Sequence, residues 1–312
     1  MDDKPLFRRN GNVIPRVAAV HDLCGYGKCS LGIAIPVLSA AGIDVCAVPT
    51  SLFSAHTKFP VFHMHDTTPM LDAYLDAWAA EGMELDGVYS GFLGSASQVA
   101  AIRRIYREHA GALRIVDPVM GDGGKKYPTY TDELCEATRT LVEGADVLTP
   151  NLTEASILTG VPYRGKDVDD AYVADVCQRL LDMGAKAVVL KGIVRSAHNG
   201  PAAEKDRELA TEPGDATSDN DGLIRNYVAT ADDPTPVEVA SPLLPYMLHG
   251  TGDLFASGLV AAIYAERPLV QAVEFAGRLV ADAMRITPDQ PDYQLRGVSF
   301  ETVLSDVTDL LR

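Results

Sequence analysis

The stretch His249-Gly250-Thr251-Gly252-Asp253-Leu254-Phe255-Ala256-Ser257-Gly258 sets two glycines and a carboxylate at the mouth of an apolar run. The spacing predicts a tight glycine turn opening into a helix from Gly252 to about Glu266, apolar enough to be buried. Glycines at 250 and 252 permit φ > 0 and let a ligand approach the backbone without meeting a Cβ. The N–H groups of a first helical turn lack intrahelical partners and carry the positive end of the helix dipole, so this turn is an anion site. Asp253 would repel a bound anion. Its presence makes chemical sense if it takes a proton from a hydroxyl while the backbone amides hold developing phosphoryl charge. An aspartate that merely complements the dipole is the competing account, and a Gly-x-Gly-Asp string alone does not decide between them.

The elements that must position this turn follow from the apolar pattern. Strands are predicted at 16–20, 44–49, 87–90, 113–117, 146–149 and 187–191. Helices are predicted at 31–41, 70–81, 95–109, 131–142, 151–159 and 169–183, then at 268–285 and 299–311 beyond the central one. Ser30 reads as a helix cap, Gly42 and Gly160 as helix ends, and 50–68 as a long polar loop. The strands are continuously apolar rather than alternating, which implies a parallel sheet covered by helices on both faces. Asp22, Thr50, Gly91, Asp117, Thr149 with Asn151, and Lys191 all fall at or just past the C-terminal ends of these strands. Open α/β sheets bind ligands along that edge. Loops there are polar in any case, but all six strand ends carry such a residue. Residues 1–14 read as a mobile polar tail. Residues from about 197 to 240 read as an acidic, partly disordered insertion around a hairpin at 225–230 and 236–240, facing solvent, with a lid as the alternative. The whole, 1–312, is expected to form one domain.

Composition narrows the partners. The net charge is −16 and no basic run exceeds Arg8-Arg9, against nucleic acid or an anionic membrane as the main partner. No signal peptide and no membrane span are expected, and five cysteines do not make a disulfide framework. A reduced, cytoplasmic protein is the expectation. The Gly-x4-Gly-Lys phosphate loop fails because Asp22 stands where its first glycine should be. The dinucleotide fingerprint fails at Phe255. Cys24 and Cys29 have no second ligand pair at zinc spacing and read as plain thiols, and His63, His65 and Asp66 as a solvated loop.

Four strings remain: Asp117-Pro118-Val119-Met120-Gly121-Asp122, Thr149-Pro150-Asn151-Leu152-Thr153-Glu154, Lys191-Gly192 and His249-Gly250-Thr251-Gly252-Asp253. In this order and spacing the chain resembles the ribokinase-like superfamily, and within it the pyridoxal kinases, from about Arg16 to the C-terminus outside most of 197–240. Phe53-Ser54-Ala55-His56-Thr57 resembles the string that lines the vitamer pocket there. The resemblance implies a three-layer α/β fold and ATP-dependent phosphorylation of the 5′-hydroxymethyl group of pyridoxal, pyridoxine or pyridoxamine. It makes Asp253 the base and the amides of Gly250, Thr251 and Gly252 the anion hole. It places Asp117, Asp122 and Glu154 around Mg²⁺ and its waters, which suits a cation that prefers a few carboxylates plus phosphate oxygens. Thr149 and Asn151 would lie on the phosphate and monovalent-cation (K⁺) side, with Lys191 and Gly192 at the triphosphate. Asp22, His56, Thr57 and Phe92 would contact the aromatic substrate. A homodimer is also implied. One departure keeps a rival open. Pyridoxal kinases usually carry Gly-Tyr-Val-Gly-Asn after the first strand, whereas His21-Asp22-Leu23-Cys24-Gly25-Tyr26-Gly27 stands here, and an aspartate at this place is similar to the hydroxymethylpyrimidine kinases. A sugar kinase and a non-catalytic vitamer or nucleotide sensor are the further alternatives.

Overall fold

The computed structural model describes residues 4–196 and 220–312. In chain order it runs β1 (Arg16–Cys24), α1 (Leu31–Ala40), β2 (Asp44–Phe53), β3 (Met64–Asp66), α2 (Leu71–Ala80), β4 (Gly87–Ser90), α3 (Ala96–Glu108) and β5 (Leu113–Val116). Then come β6 (Gly121–Asp122), β7 (Lys125–Lys126), α4 (Asp132–Arg139), β8 (Val147–Leu148), α5 (Leu152–Thr159), α6 (Asp170–Asp182) and β9 (Ala187–Ile193). Beyond 219 follow β10 (Leu223–Thr230), β11 (Val237–Pro242), α7 (Thr251–Tyr264), α8 (Leu269–Ile286), α9 (Tyr293–Arg296) and α10 (Leu304–Asp309).

The sheet order is β11-β10-β9-β8-β5-β4-β1-β2-β3. The strands from β9 through β2 are parallel neighbours, while β3, β10 and β11 add antiparallel edges. Because side chains alternate along a strand, each strand feeds both faces. Val17, Tyr89, Ile115, Val147 and Val189 pack with α1, α7, α8 and α10, and Ala18, Val88, Val116, Leu148 and Leu190 pack with α2 to α6. Two cores on one sheet explain why these strands read as unbroken apolar runs. From β1 the chain moves outward to β2 on one side and later returns to β4 on the other. The crevice at the C-terminal ends of β1 and β4 is therefore a topological switch point, where such sheets bind ligands.

Several expectations are corrected. β1 continues through His21 and Asp22 to Cys24, because its pairing with β2 resumes after a register shift between His21 and Leu23. β2 likewise runs to Phe53 and pairs with β3, which carries His65 and Asp66 out of the expected polar loop. The second half of the expected solvent-facing insertion is a hairpin, but one incorporated in the central sheet, with β10 buried along most of its length. Of the expected insertion, residues 197–219, where most of its disorder was expected, lie outside the described residues. The expected mobile tail is pinned from Phe7 onward: the Phe7 ring packs on Tyr264 at 4.4 Å. Arg9 donates to Tyr264 O at 2.8 Å and Ala41 O at 2.6 Å. Residues 1–3 are outside the description. The expected C-terminal helix shortens to α10, preceded by the unforeseen α9. Among the described residues, no helix is long and apolar enough to cross a membrane.

Candidate active site

The N-terminus of α7 lies at that crevice. Gly250 caps the helix at φ 83°, and a Cβ there would sit 2.3 Å from Lys28 O, so conformation and space both demand glycine. Gly252 differs from the expectation: its φ is not positive, and the space beside its Cα is open, as an approaching ligand needs. Thr251 spends its hydroxyl on Leu248 O at 3.1 Å, leaving its amide for the anion role. The rest of α7 is apolar all round because the sheet covers one side and α8 the other. This packing fixes where Asp253 stands.

The Asp253 side chain is partly exposed at the crevice mouth but walled closely enough that burial pushes its carboxyl up to about 7. The Ser30 N–H and Lys191 act against this rise, while the charges of Asp117 and Asp22 add to it. A carboxyl poised near neutrality can accept a proton at physiological pH.

On one side of Asp253, β5, β8 and β9 end together. Asp117 and Lys191 are buried there and form an ion pair. Lys191 is held above its ordinary value: burial works against its charge, but Asp117 and Glu154 outweigh it. Asn151 and Glu154 form a capping box at the start of α5. Glu154 Oε2 accepts from Asn151 N at 2.7 Å and Oε1 from Met120 N at 3.3 Å. Burial pushes the Glu154 carboxyl up to about 8, with Lys191 opposing and Asp117 reinforcing. Asn151 also donates to Gly121 O at 2.9 Å, tying α5 to the β6–β7 turn. Thr149 is fully buried beside Val116. Gly192, at φ 73°, gives its N–H to Asn226 Oδ1 at 3.1 Å, a partner on β10 that the sequence did not suggest.

Asp117, Asp122 and Glu154 do not converge as one ligand set. Among the described residues, the only such group within 4.8 Å is Asp22, Cys24 and Cys29. Asp122 is exposed on the β6–β7 turn and accepts from Gly123 N at 2.7 Å. The donor set still suits Mg²⁺ held through water. The charge of Asp117 makes both Glu154 and Asp253 harder to ionise, with Lys191 opposing, and a divalent cation among them would relieve that crowding.

On the other side of Asp253 lies the expected ring-binding end. Asp22 is buried; Ser30 Oγ donates to its Oδ1 at 2.5 Å, and Cys24 Sγ to its Oδ2 at 3.4 Å. Burial raises the Asp22 carboxyl above its ordinary value, against these two hydrogen bonds. Cys24, Cys29 and Phe53 form a small apolar cluster with Phe92 packed on it, a surface for a flat ring. His56 is buried and stacks at 4.2 Å on His249, so the 53–57 string and the anion turn meet. Burial lowers His56 below its ordinary value and His249 to about 3, which keeps both neutral. Thr57 is exposed and makes no hydrogen bond among the described residues.

Sequence reasoning missed Ser30 as a site residue. Its side chain does not cap α1; at φ 48° it turns its hydroxyl to Asp22 and its N–H to Asp253. One residue thus links Asp22, at the expected ring end, to Asp253. A serine before a helix carries no mark of positive φ, so no local signal could have revealed it.

Comparison with known proteins agrees with this geometry. The family model described as phosphomethylpyrimidine kinase matches residues 35–295. A pyridoxine/pyridoxal/pyridoxamine kinase of Bordetella avium is 33% identical over 87% of this chain and 85% of its own. A Bacteroides thetaiotaomicron structure with pyridoxal, named for phosphomethylpyrimidine kinase, superposes at TM-score 0.81 with 28% identity, covering 95% of this chain and 96% of that one. Pyridoxal kinase from Lactobacillus plantarum superposes at 0.80 with 25% identity, covering 96% and 98%. The resemblance read from the four strings, and the ribokinase-like fold it implied, are borne out. An anion turn and a near-neutral carboxyl at the switch point are what a kinase of this kind requires, and the chain belongs to the phosphomethylpyrimidine kinase family.

Proposed function

We propose that this chain is an ATP-dependent pyridoxal kinase, transferring the γ-phosphoryl group to the 5′-hydroxymethyl group of pyridoxal, pyridoxine or pyridoxamine. The observation that carries the reading is Asp253, a carboxyl raised to about 7 beside the open amides of α7. The vitamer-named relative at 33% identity and the 28% identical structure with pyridoxal support the substrate class.

In this reading Asp253 accepts the hydroxymethyl proton and orients its oxygen for in-line attack. The amides of Gly250, Thr251 and Gly252 hold the phosphoryl oxygens as charge develops. Lys191, Thr149, Asn151 and Gly192 serve the triphosphate side, where a monovalent cation such as K⁺ is expected near Thr149 and Asn151. Asp117 and Glu154, with Asp122 farther out on the β6–β7 turn, would hold Mg²⁺, which would neutralise charge at the phosphates. Asp22, His56 and Phe92 receive the ring, with Thr57 at the edge. The chain acts as one kinase domain in a cytoplasmic homodimer.

The test is a coupled assay of ADP release with each of the three vitamers and hydroxymethylpyrimidine. The expected outcome is a kcat/KM for at least one vitamer about tenfold or more above that for the pyrimidine. A preference for the pyrimidine would overturn the assignment in favour of the thiamine-type kinase that Asp22 keeps in view.

A further inference from the structure

Asp22, Cys24 and Cys29 stand out from the other cysteine sites. Each offers one ligand atom, and all three atoms lie within 4.8 Å of one another, a convergence unique among the described residues. Cys46, Cys135 and Cys177 are free thiols outside any such group. Spacing alone carried no hint of this, because Cys24 and Cys29 are five apart with no second pair. The third ligand comes instead from the extension of β1 through Asp22.

We propose that Asp22, Cys24 and Cys29 form a site for one thiophilic divalent cation of the Zn²⁺ class, distinct from the Mg²⁺ of phosphoryl transfer. Two thiolates and a carboxylate select a soft d¹⁰ cation over Mg²⁺. Three protein ligands leave the fourth tetrahedral position to a water or another small ligand, unlike the four-ligand set of a structural zinc site. The spacing agrees. Tetrahedral zinc sets a sulfur and a carboxylate oxygen about 3.6 Å apart from bond lengths of about 2.3 and 2.1 Å, and Cys24 Sγ lies 3.4 Å from Asp22 Oδ2. The carboxylate is already oriented from outside: Ser30 Oγ holds Oδ1 at 2.5 Å and leaves Oδ2 facing the thiol. Phe53 and Phe92 supply an apolar wall.

The charges balance. The Cys29 thiol is held well above its ordinary value by its contact with Cys24, by burial and by the charge of Asp22, and a bound cation takes both cysteines as thiolates. The cation displaces both protons to solvent, and its two charges replace theirs. No oxidant or reductant takes part. If Asp22 reads the substrate ring, as proposed above, cation and ring exclude each other and zinc shuts the enzyme at its ring end.

The test uses the full chain, free of substrate and reduced with a phosphine, titrated with Co²⁺ and then Zn²⁺. The expected result is a sulfur-to-cobalt charge-transfer band that saturates at one Co²⁺ per chain and is abolished by Zn²⁺. The double variant Cys24→Ser/Cys29→Ser should lose the band and weaken Zn²⁺ binding by more than the roughly hundredfold that removal of an outer-shell partner costs. Cys46→Ser should leave both unchanged. Absence of the band from the wild-type protein overturns the site without reference to any variant, as does a band that survives in a folded double variant. Saturating pyridoxine should then displace the cobalt band. A band that persists while calorimetry shows pyridoxine bound overturns the exclusion, and with it the place of Asp22 in the ring pocket, but leaves the cation site standing.

Discussion

At the scale of single residues, the site works by making acidic groups reluctant to ionise. Asp253 and Glu154 are both raised by burial, to about 7 and about 8. For a general base the consequence has a definite sign. The working form is deprotonated, so kcat/KM should fall as pH drops below about 7 and level off above it. Asp253→Asn keeps the shape but cannot take the proton; turnover should fall by about 10² to 10⁴ while calorimetry still shows both substrates bound. If the variant kept more than about a tenth of wild-type turnover, Asp253 would not be the base. Glu154 has two duties, capping α5 and facing Asp117 and Lys191. Glu154→Gln should raise the Mg²⁺ concentration needed for half-maximal rate with Tm nearly unchanged, because a glutamine oxygen still accepts from Asn151 N and keeps the capping box. An unchanged Mg²⁺ titration would leave Glu154 only its capping role.

At the scale of elements, the two glycines of the α7 turn have separate jobs, and alanine tells them apart. Gly250 at φ 83° has Lys28 O 2.3 Å from any added Cβ. Gly250→Ala should destabilise the protein by at least about 1–3 kcal/mol from the backbone strain alone, read by chemical denaturation. Gly252 has open space and no positive φ. Gly252→Ala should therefore leave stability unchanged or raise it by up to about 1 kcal/mol. Its methyl would nonetheless intrude where the phosphoryl group must approach, and a displacement of about 1 Å costs about a hundredfold in turnover. Full activity in a folded Gly252→Ala variant would remove this position from the anion cradle. Ser30 shows the same division of labour from the loop side, since its strained φ of 48° serves Asp22 and Asp253 rather than α1.

At the scale of the whole molecule, distant segments hold the frame that α7 stands in. Arg9 joins the N-terminal segment to the C-terminal end of α7 and to the carbonyls that close α1, through Tyr264 O, Gly42 O at 3.3 Å and Ala41 O. Its own N–H reaches Glu266 Oε1 at 2.5 Å. Hydrogen bonds from a charged group contribute about 1.5–3 kcal/mol. Arg9→Ala should accordingly lower Tm by several degrees. The kcat at 25 °C should stay unchanged, because Arg9 meets α7 at Tyr264, about 17 Å from Asp253 along the helix. A selective loss of kcat with Tm preserved would contradict a purely structural clamp. The antiparallel strands β10 and β11 extend the frame on the other side, and Asn226 on β10 holds the Gly192 N–H beside Lys191.

Much of this was legible in the residues. Unbroken apolar strands alternating with helices specify a sheet covered on both faces, because continuous burial of a strand permits no other arrangement. Asp117, Lys191 and Asp253 fall at or near strand or helix ends, a property of chain position that spacing reveals, and the positive φ at Gly250 is equally local, though the closeness of Lys28 O to it is not. What only the tertiary structure decided depends on partners far apart in sequence. The pairing of Lys191 with Asp117, the elevation of Asp253 and Glu154, and the anchoring of the N-terminal segment by Tyr264 are such cases. So are the entry of Leu223–Pro242 into the sheet and the meeting of Asp22 with Cys24 and Cys29. Local pattern records which face a side chain must bury; the charge state of a carboxyl and the company of a thiol are set by whatever the fold brings within a few ångströms.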